Sequence, residues 1–122
     1  MSLRLGPGVR LRARSEFALV QKHGRRVAAK YMTVLALPNS LDRDRLGIIA
    51  SRRLGNAVTR NRAKRRIREL FRHQHPDTAA ERGVTPLDVV VVARREVASA
   101  DFEALTADFH GALGRLDRAR RR

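Results

Sequence analysis

The chain has 122 residues, 43% of them hydrophobic, which is enough for one domain with a core of its own. It contains no cysteine, so disulfides, thiolate metal sites and cysteine nucleophiles are excluded. Its 27 lysines and arginines outnumber 12 acidic residues and give a net charge of +15, which favours a polyanionic partner.

The sequence gives no sign of export or of membrane insertion. No apolar run approaches the roughly 20 residues that a membrane span needs. The opening residues 1–7 lack the apolar core of a secretory signal. We therefore expect a cytoplasmic protein without a membrane partner.

The first half of the chain predicts an arm, a helix and two strands. Residues 1–14 hold four arginines and a Gly-Pro-Gly, which is typical of a flexible basic arm. Ser15 is the predicted N-cap of a short helix that ends at Gly24. Alternating patterns predict strands over 27–37 and 45–51, which we expect to pair as an antiparallel hairpin.

The second half predicts two helices on either side of a buried strand. The first helix covers residues 57–72 and leads into a loop at 75–86. The apolar run at 89–93 is typical of an inner strand that is buried on both faces. Apolar residues then recur at helical spacing over 102–116, and residues 117–122 form a basic tail that we expect to be frayed.

Residues 52–72 carry +8 of the net charge of +15, since they hold nine basic residues and one acid. At 100° per residue, an apolar stripe for packing against the sheet contains Ala63, Ile67, Leu70 and Phe71. A basic arc beside it contains Asn61, Lys64, Arg65, Arg68 and Arg72, with Arg62 and Arg66 on the other flank. Crowding like charges is unfavourable in the free protein, which is typical of a surface that binds a polyanion.

The turn before this helix predicts an anion site. Gly55 permits a backbone conformation that other residues resist. The backbone N–H groups at the start of the helix, flanked by Arg53 and Arg60, are suited to phosphate. Asn61 is the one neutral polar residue of the arc and can hold a ribose hydroxyl, a base edge or a hydrated metal ion.

The segment 51–69 resembles the signature of the bacterial ribonuclease P protein subunit. The resemblance is carried by Arg60-Asn61-Arg62, followed by Lys64-Arg65 and Arg68, and by Gly55 and Ala57-Val58 before them. The order of the predicted elements is similar over nearly the whole chain. The resemblance implies an α+β fold of one domain, with a four-stranded, mostly antiparallel sheet and packed helices in the order α-β-β-β-α-β-α. It also implies a left-handed β-α-β crossover, and residues 25–28 supply the extra strand.

The same resemblance implies the function. The family's protein subunit binds a catalytic RNA subunit and the 5′ leader of precursor tRNA, and so promotes endonucleolytic removal of the leader. The RNA carries the chemistry and requires Mg²⁺, so we expect no cofactor, metal site or catalytic residue on the protein. The partners implied are the RNA subunit and precursor tRNA, with a monomer in a 1:1 complex with the RNA and no small-molecule substrate.

The resemblance assigns two sets of contact residues. The set for RNA binding is Arg52, Arg53, Arg60, Asn61, Arg62, Lys64, Arg65, Arg66 and Arg68. The set for a leader-binding cleft is Phe17, Tyr31, Leu35, Asn61, Lys64 and Arg68. The chain departs from the family where aromatic residues are frequent, because Gln21 and Leu35 stand there. Leader contacts are therefore expected to depend more on charge and apolar packing than on stacking.

Other functions fit the sequence less well. A self-sufficient nuclease needs clustered carboxylates or a histidine pair, whereas the acids are scattered and His73 and His75 have no further ligand near them in sequence. A structural ribosomal or rRNA-binding protein is the main alternative, because size and charge fit it equally well. A nucleoid-type DNA binder is a third possibility, weakened by the short basic helix.

Overall fold

The computed structural model describes residues 10–41, 43–74 and 86–120. In chain order the elements are helix α1 (Arg14–His23), strands β1 (Arg25–Ala28), β2 (Met32–Pro38) and β3 (Arg45–Ile49), helix α2 (Ala57–Gln74), strand β4 (Leu87–Ala93) and helix α3 (Phe102–Arg120). Short 3-10 turns stand before α2 at Arg52–Leu54 and before α3 at Arg95–Ala98. This order confirms the predicted α+β class. The predicted loop at 75–86 lies outside the described residues except for Pro86.

Strand β4 is an inner strand of the four-stranded sheet, whose order is β1-β2-β4-β3. It pairs antiparallel with β2 and parallel with β3. The predicted hairpin between β2 and β3 is therefore wrong, because β4 lies between them. Val89, Val90 and Val91 are fully buried, and only an inner position covered on both faces can bury such a run. The parallel β3-α2-β4 connection is of the β-α-β kind, and its left-handed sense stays a prediction.

The expected extra strand at 25–28 is confirmed as β1, so the predicted strand at 27–37 covers the end of β1, a tight reversal and β2. Ala29 N donates to Met32 O at 2.8 Å. Helix α3 fixes the reversal, because the Asp108 carboxylate accepts hydrogen bonds from the backbone N–H groups of Lys30 (2.9 Å) and Tyr31 (2.8 Å). That partner is far away in sequence, so a local pattern does not indicate where the strand is interrupted.

The sheet separates two apolar clusters. The larger one lies between the sheet and helices α2 and α3, and includes Met32, Val34, Val89, Val91, Ile67, Leu70 and Phe109. The smaller one lies under α1 and consists of Leu11, Val20, Leu35 and Val90, with Phe17, Leu37, Ile49 and Val92 packed against it. The predicted stripe of α2 is confirmed, since Ala63, Ile67, Leu70 and Phe71 are all buried in the larger cluster.

The first helix begins and the last helix ends at other residues than the sequence predicts. Helix α1 begins at Arg14, so Ser15 lies inside it and is not the N-cap; Ala13 holds that place. The carboxylate of Glu16 instead accepts the N–H groups of Arg12 (3.0 Å) and Ala13 (2.9 Å). At the other end α3 continues to Arg120, past residue 117 where the tail was predicted to begin, and the fraying of the tail stays a prediction. Within the described residues, no helix is long and apolar enough to cross a membrane.

Candidate nucleic-acid interface

A cavity of about 420 Å³ opens along strand β3, at the edge of the sheet. Its walls come from four parts of the chain: the segment before α1, helix α1, β3 and helix α2. The lining residues are Arg10, Leu11, Arg12, Phe17, Leu46, Gly47, Ile48, Lys64 and Arg68. Four of them are cationic and none is acidic, so the cavity is suited to an extended polyanion.

The segment before α1 forms one wall because it pairs with β3. Arg10 makes a parallel bridge with Leu46, and Leu11 N donates to Leu46 O at 2.9 Å. Leu11 is buried in the smaller apolar cluster. Residues 10–14 are therefore not part of a flexible arm, contrary to expectation, whereas residues 1–9 lie outside the described chain.

Gly47 lines the cavity, and its lack of a side chain leaves room for the ring of Phe17. A Cβ atom built on residue 47 would lie 2.6 Å from Phe17 Cε1 and 3.0 Å from Leu11 Cδ1. Glycine is required here because any side chain would collide with the aromatic ring. Phe17 is half-buried, and it lines the cavity together with Gly47.

The cations around the cavity are close enough to affect one another. Burial lowers the pKa of the Arg68 guanidinium, and the charges of Arg10 and Arg65 lower it further. Arg10 Nε is buried and has no hydrogen-bond partner among the described residues. An anion in the cavity would relieve the repulsion among these cations.

The structure brings together only part of the leader-binding set. Phe17, Lys64 and Arg68 line the cavity, and Asn61 lies one turn before Lys64 on the same helix. Leu35 is 3% exposed and lies in the cluster under α1. Tyr31 packs at the margin of the larger cluster on the opposite face of the sheet, where Lys30 Nζ lies 5.3 Å from its ring centroid.

Tyr31 therefore does not take the place of the missing aromatic residue in the cavity. The strand pattern put Tyr31 on the same face as Leu35, but Tyr31 precedes β2 and lies in the reversal, where alternation does not apply. Gln21, at the other departure from the family, is exposed on α1.

The turn before α2 has the predicted backbone conformation. Gly55 has a φ of +136°, which L side chains rarely adopt. Asn56 is the N-cap of α2, because its Oδ1 accepts the N–H of Thr59 at 2.9 Å. The Thr59 amide is thus already satisfied by the protein. Asn56 was not predicted as the N-cap, although asparagine is a preferred residue at that position.

The RNA-binding set contains residues that are open to solvent and residues that are hydrogen-bonded to the protein itself. Arg52, Arg53, Asn61 and Arg65 are exposed to solvent, and Arg60 is half-buried. Arg62 and Arg66 reach back to the protein, since Arg62 Nε donates to Ala98 O at 2.7 Å and Arg66 Nη1 donates to Val97 O at 2.8 Å. These two arginines tie α2 to the 3-10 turn before α3.

Six lining residues were absent from the sequence prediction: Arg10, Leu11, Arg12, Leu46, Gly47 and Ile48. One local signal was available, because an isolated glycine within a strand marks a close approach. No group of three or more histidine, aspartate or glutamate side chains is placed to hold a metal ion in the part of the chain that the structure describes. Of the two histidines near the end of α2, which the sequence does not favour as a metal or catalytic pair, His73 lies 3.2 Å from a Glu69 oxygen and His75 is outside the described residues.

Comparison with known proteins assigns the chain to a family. The model of the family described as Ribonuclease P matches residues 5–117. This chain belongs to the ribonuclease P protein family. It is 41% identical over 96 residues to the ribonuclease P protein component of Thermotoga maritima, covering 77% of this chain and 75% of that one.

Solved structures of ribonuclease P proteins share the fold. The Staphylococcus aureus protein superposes with a TM-score of 0.71 at 30% identity, covering 87% of this chain and 93% of that one. The Thermotoga maritima protein gives a TM-score of 0.70 at 35% identity, covering 87% and 96%. The resemblance in segment 51–69 is thereby confirmed, and with it the architecture of a ribonuclease P protein.

Proposed function

We propose that this chain is the protein subunit of a ribonuclease P ribonucleoprotein and promotes removal of the 5′ leader from precursor tRNA. In this proposal it binds the RNA subunit as a monomer in a 1:1 complex, in the cytoplasm. Family membership supports the role of subunit. The cavity along β3 supports the contact with the leader.

The observation that carries the proposal is that one helix serves two basic surfaces. Lys64 and Arg65 stand three and four residues after Asn61, and Arg68 stands four and three residues after them, so the four are neighbours on the surface of α2. Lys64 and Arg68 line the cavity, whereas Asn61 and Arg65 are exposed on the outer face. A leader in the cavity and an RNA subunit on the outer face would therefore lie side by side.

The groups in the cavity are suited to binding and not to acid–base chemistry. Its described lining residues include arginine, lysine and apolar side chains, but no carboxylate and no imidazole. We infer that the RNA subunit carries out the hydrolysis and holds the Mg²⁺ ions that it requires. Charge-assisted contacts from arginine to phosphate would hold the substrate in place.

Reconstitution tests this division of labour. The purified protein, freed of RNA, should leave precursor tRNA intact at every Mg²⁺ concentration. Addition of the cognate RNA subunit at low Mg²⁺ should give cleavage that the RNA alone does not achieve. Leader removal that survives nuclease treatment of the protein preparation would contradict the proposal, and so would co-purification of the chain from cells with ribosomal RNA alone.

A further inference from the structure

Strand β3 begins with an arginine that links three elements of the fold. Arg45 Nε donates to Asp88 Oδ1 at 2.9 Å and Arg45 Nη2 donates to Asp88 Oδ2 at 2.8 Å, which is a bidentate pair between neighbouring strands β3 and β4. The remaining terminal nitrogen, Nη1, donates to Glu16 Oε2 of α1 at 2.8 Å. The arginine thus connects the sheet to the first helix.

Glu16 in turn binds the segment before α1, which forms one wall of the cavity. While Oε2 accepts from Arg45, Oε1 accepts the backbone N–H groups of Arg12 and Ala13. Arg12 itself lines the cavity, and Phe17, the next residue after Glu16, lies over Gly47. The wall is therefore held at two points: at Leu11 by pairing with β3, and at Arg12–Ala13 by Glu16.

The wall needs such a connection because its own charges oppose its position. Arg10 and Arg12 line the same cavity as Lys64 and Arg68, and four cations around one cavity repel one another when no anion is bound. Arg45 and Glu16 are not among the lining residues, and their side chains are 21% and 29% exposed. They can therefore hold the wall in position without contacting a molecule in the cavity.

We propose that Arg45 is a positioning residue for leader binding, which acts through Glu16 to hold residues 10–13 and Phe17 against β3. This inference rests on the proposed function, because it concerns the cavity assigned to the leader. Neither residue belongs to the basic segment 52–72 that carries the family signature. Hydrogen bonding to Asp88 and then to Glu16 raises the pKa of Arg45, so the guanidinium keeps its charge at any pH used in an assay.

The test uses Arg45→Lys and Glu16→Gln in the holoenzyme reconstituted with the cognate RNA subunit. The measurement is the dissociation constant for precursor tRNA with a leader of several nucleotides and, separately, for mature tRNA. Each variant should weaken precursor binding roughly tenfold, because a small displacement of positioning groups is costly, and should leave mature tRNA binding unchanged. Arg25→Lys is the matched control, since Arg25 also begins a strand but stands at the opposite edge of the sheet.

Glu16→Gln separates positioning from simple electrostatics. Removing a negative charge beside a polyanion should strengthen RNA binding if only the overall field matters. Positioning through Arg45 predicts the opposite, weaker binding of the leader. The double variant should cost little more than either single one, because both act through the same contact.

Folding is checked by thermal unfolding and by binding of each variant to the RNA subunit. Glu16→Gln keeps the Arg45–Asp88 pair, so it remains informative if Arg45→Lys does not fold. Unchanged or tighter precursor binding by folded Glu16→Gln would overturn the positioning role, as would an equal loss for precursor and mature tRNA. A wild-type holoenzyme that does not prefer precursor to mature tRNA would overturn the leader assignment itself, and the positioning role with it.

Discussion

Gly47 and Phe17 are complementary in shape: the ring occupies the space in which any other residue at position 47 would place its Cβ atom. Gly47→Ala should therefore displace the ring and destabilise the protein by about 1–3 kcal/mol, the usual cost of an overpacked site. Denaturant unfolding measures this loss. It should also weaken precursor tRNA binding, because the displaced ring would enter the cavity.

Gly111 offers a matched control for this substitution. A Cβ atom at Gly111 of α3 meets nothing within 4 Å. Gly111→Ala should therefore stabilise the protein by roughly 0.5–1 kcal/mol, because alanine favours the helix. Equal effects of the two substitutions on stability would show that the contact between Gly47 and Phe17 does not constrain the fold.

Lys64, Arg65 and Arg68 are predicted to contact phosphates. Removing one contact by alanine substitution should reduce the slope of log K against log salt concentration by about 0.7–0.9. Binding of the RNA subunit and of precursor tRNA should be measured separately, since Arg65 is exposed outside the cavity and Arg68 lines it. Slopes that match the wild type for all three variants would argue against this surface.

Arg66 should behave differently from these three residues. Its Nη1 is bound to Val97 O, and its guanidinium lies 5.9 Å from the Phe102 ring centroid. Arg66→Ala should therefore lower the free energy of unfolding by about 1–3 kcal/mol, because Val97 O would lose its partner. An unaltered unfolding midpoint would mean that the contact with the 3-10 turn contributes nothing to stability.

Phe17 is predicted to contribute to leader binding. Phe17→Ala should reduce the preference of the holoenzyme for precursor over mature tRNA by an amount near the lower end of the roughly 1–3 kcal/mol seen for base stacking. No second aromatic ring lines the described cavity, since Tyr31 is not among its lining residues. An equal loss of affinity for both RNAs would assign Phe17 to packing alone.

The lowered pKa of Glu16 predicts that the stability of the protein depends on pH. Hydrogen bonds from the backbone N–H groups of Ala13 and Arg12, together with the contact to Arg45, lower the pKa of its carboxyl group. A lowered pKa means that the folded state favours the charged form, so the stabilisation is present at neutral pH. It should be lost as the pH falls below about 4.3, the ordinary value for glutamate. Glu16→Gln should be less stable than the wild type at pH 7, and the difference should shrink toward pH 3.

Crowded charge predicts stabilisation by multivalent anions. Sulfate or pyrophosphate bound near Arg10, Lys64 and Arg68 would relieve their repulsion, whereas chloride only screens it. Linkage gives about 2.7 kcal/mol of added stability when the anion is at 100 times its dissociation constant. Unfolding midpoints should therefore be higher in sulfate than in chloride at equal ionic strength. Equal midpoints would show that screening alone acts on these charges.

Local periodicity in the sequence was enough to predict several features of the fold. The spacing of Ala63, Ile67 and Leu70 predicted the buried face of α2, and therefore which side of the helix carries the basic arc. The apolar run at 89–93 predicted an inner strand, because burial on both faces removes the alternation. The unusual backbone conformation at Gly55 was predicted because glycine adopts conformations that other residues resist.

Strand pairing, and with it the position of the cavity, depends on contacts between residues that are far apart in the chain. The sequence of β3 is compatible with pairing to β2 or to β4, because an alternating pattern states which face is buried and not which strand is adjacent. Once β4 occupies the inner position, β3 becomes an edge that residues 10 and 11 can join. That pairing brings Arg10 and Arg12 to Lys64 and Arg68, residues far apart in the chain, and no local pattern contains such a contact.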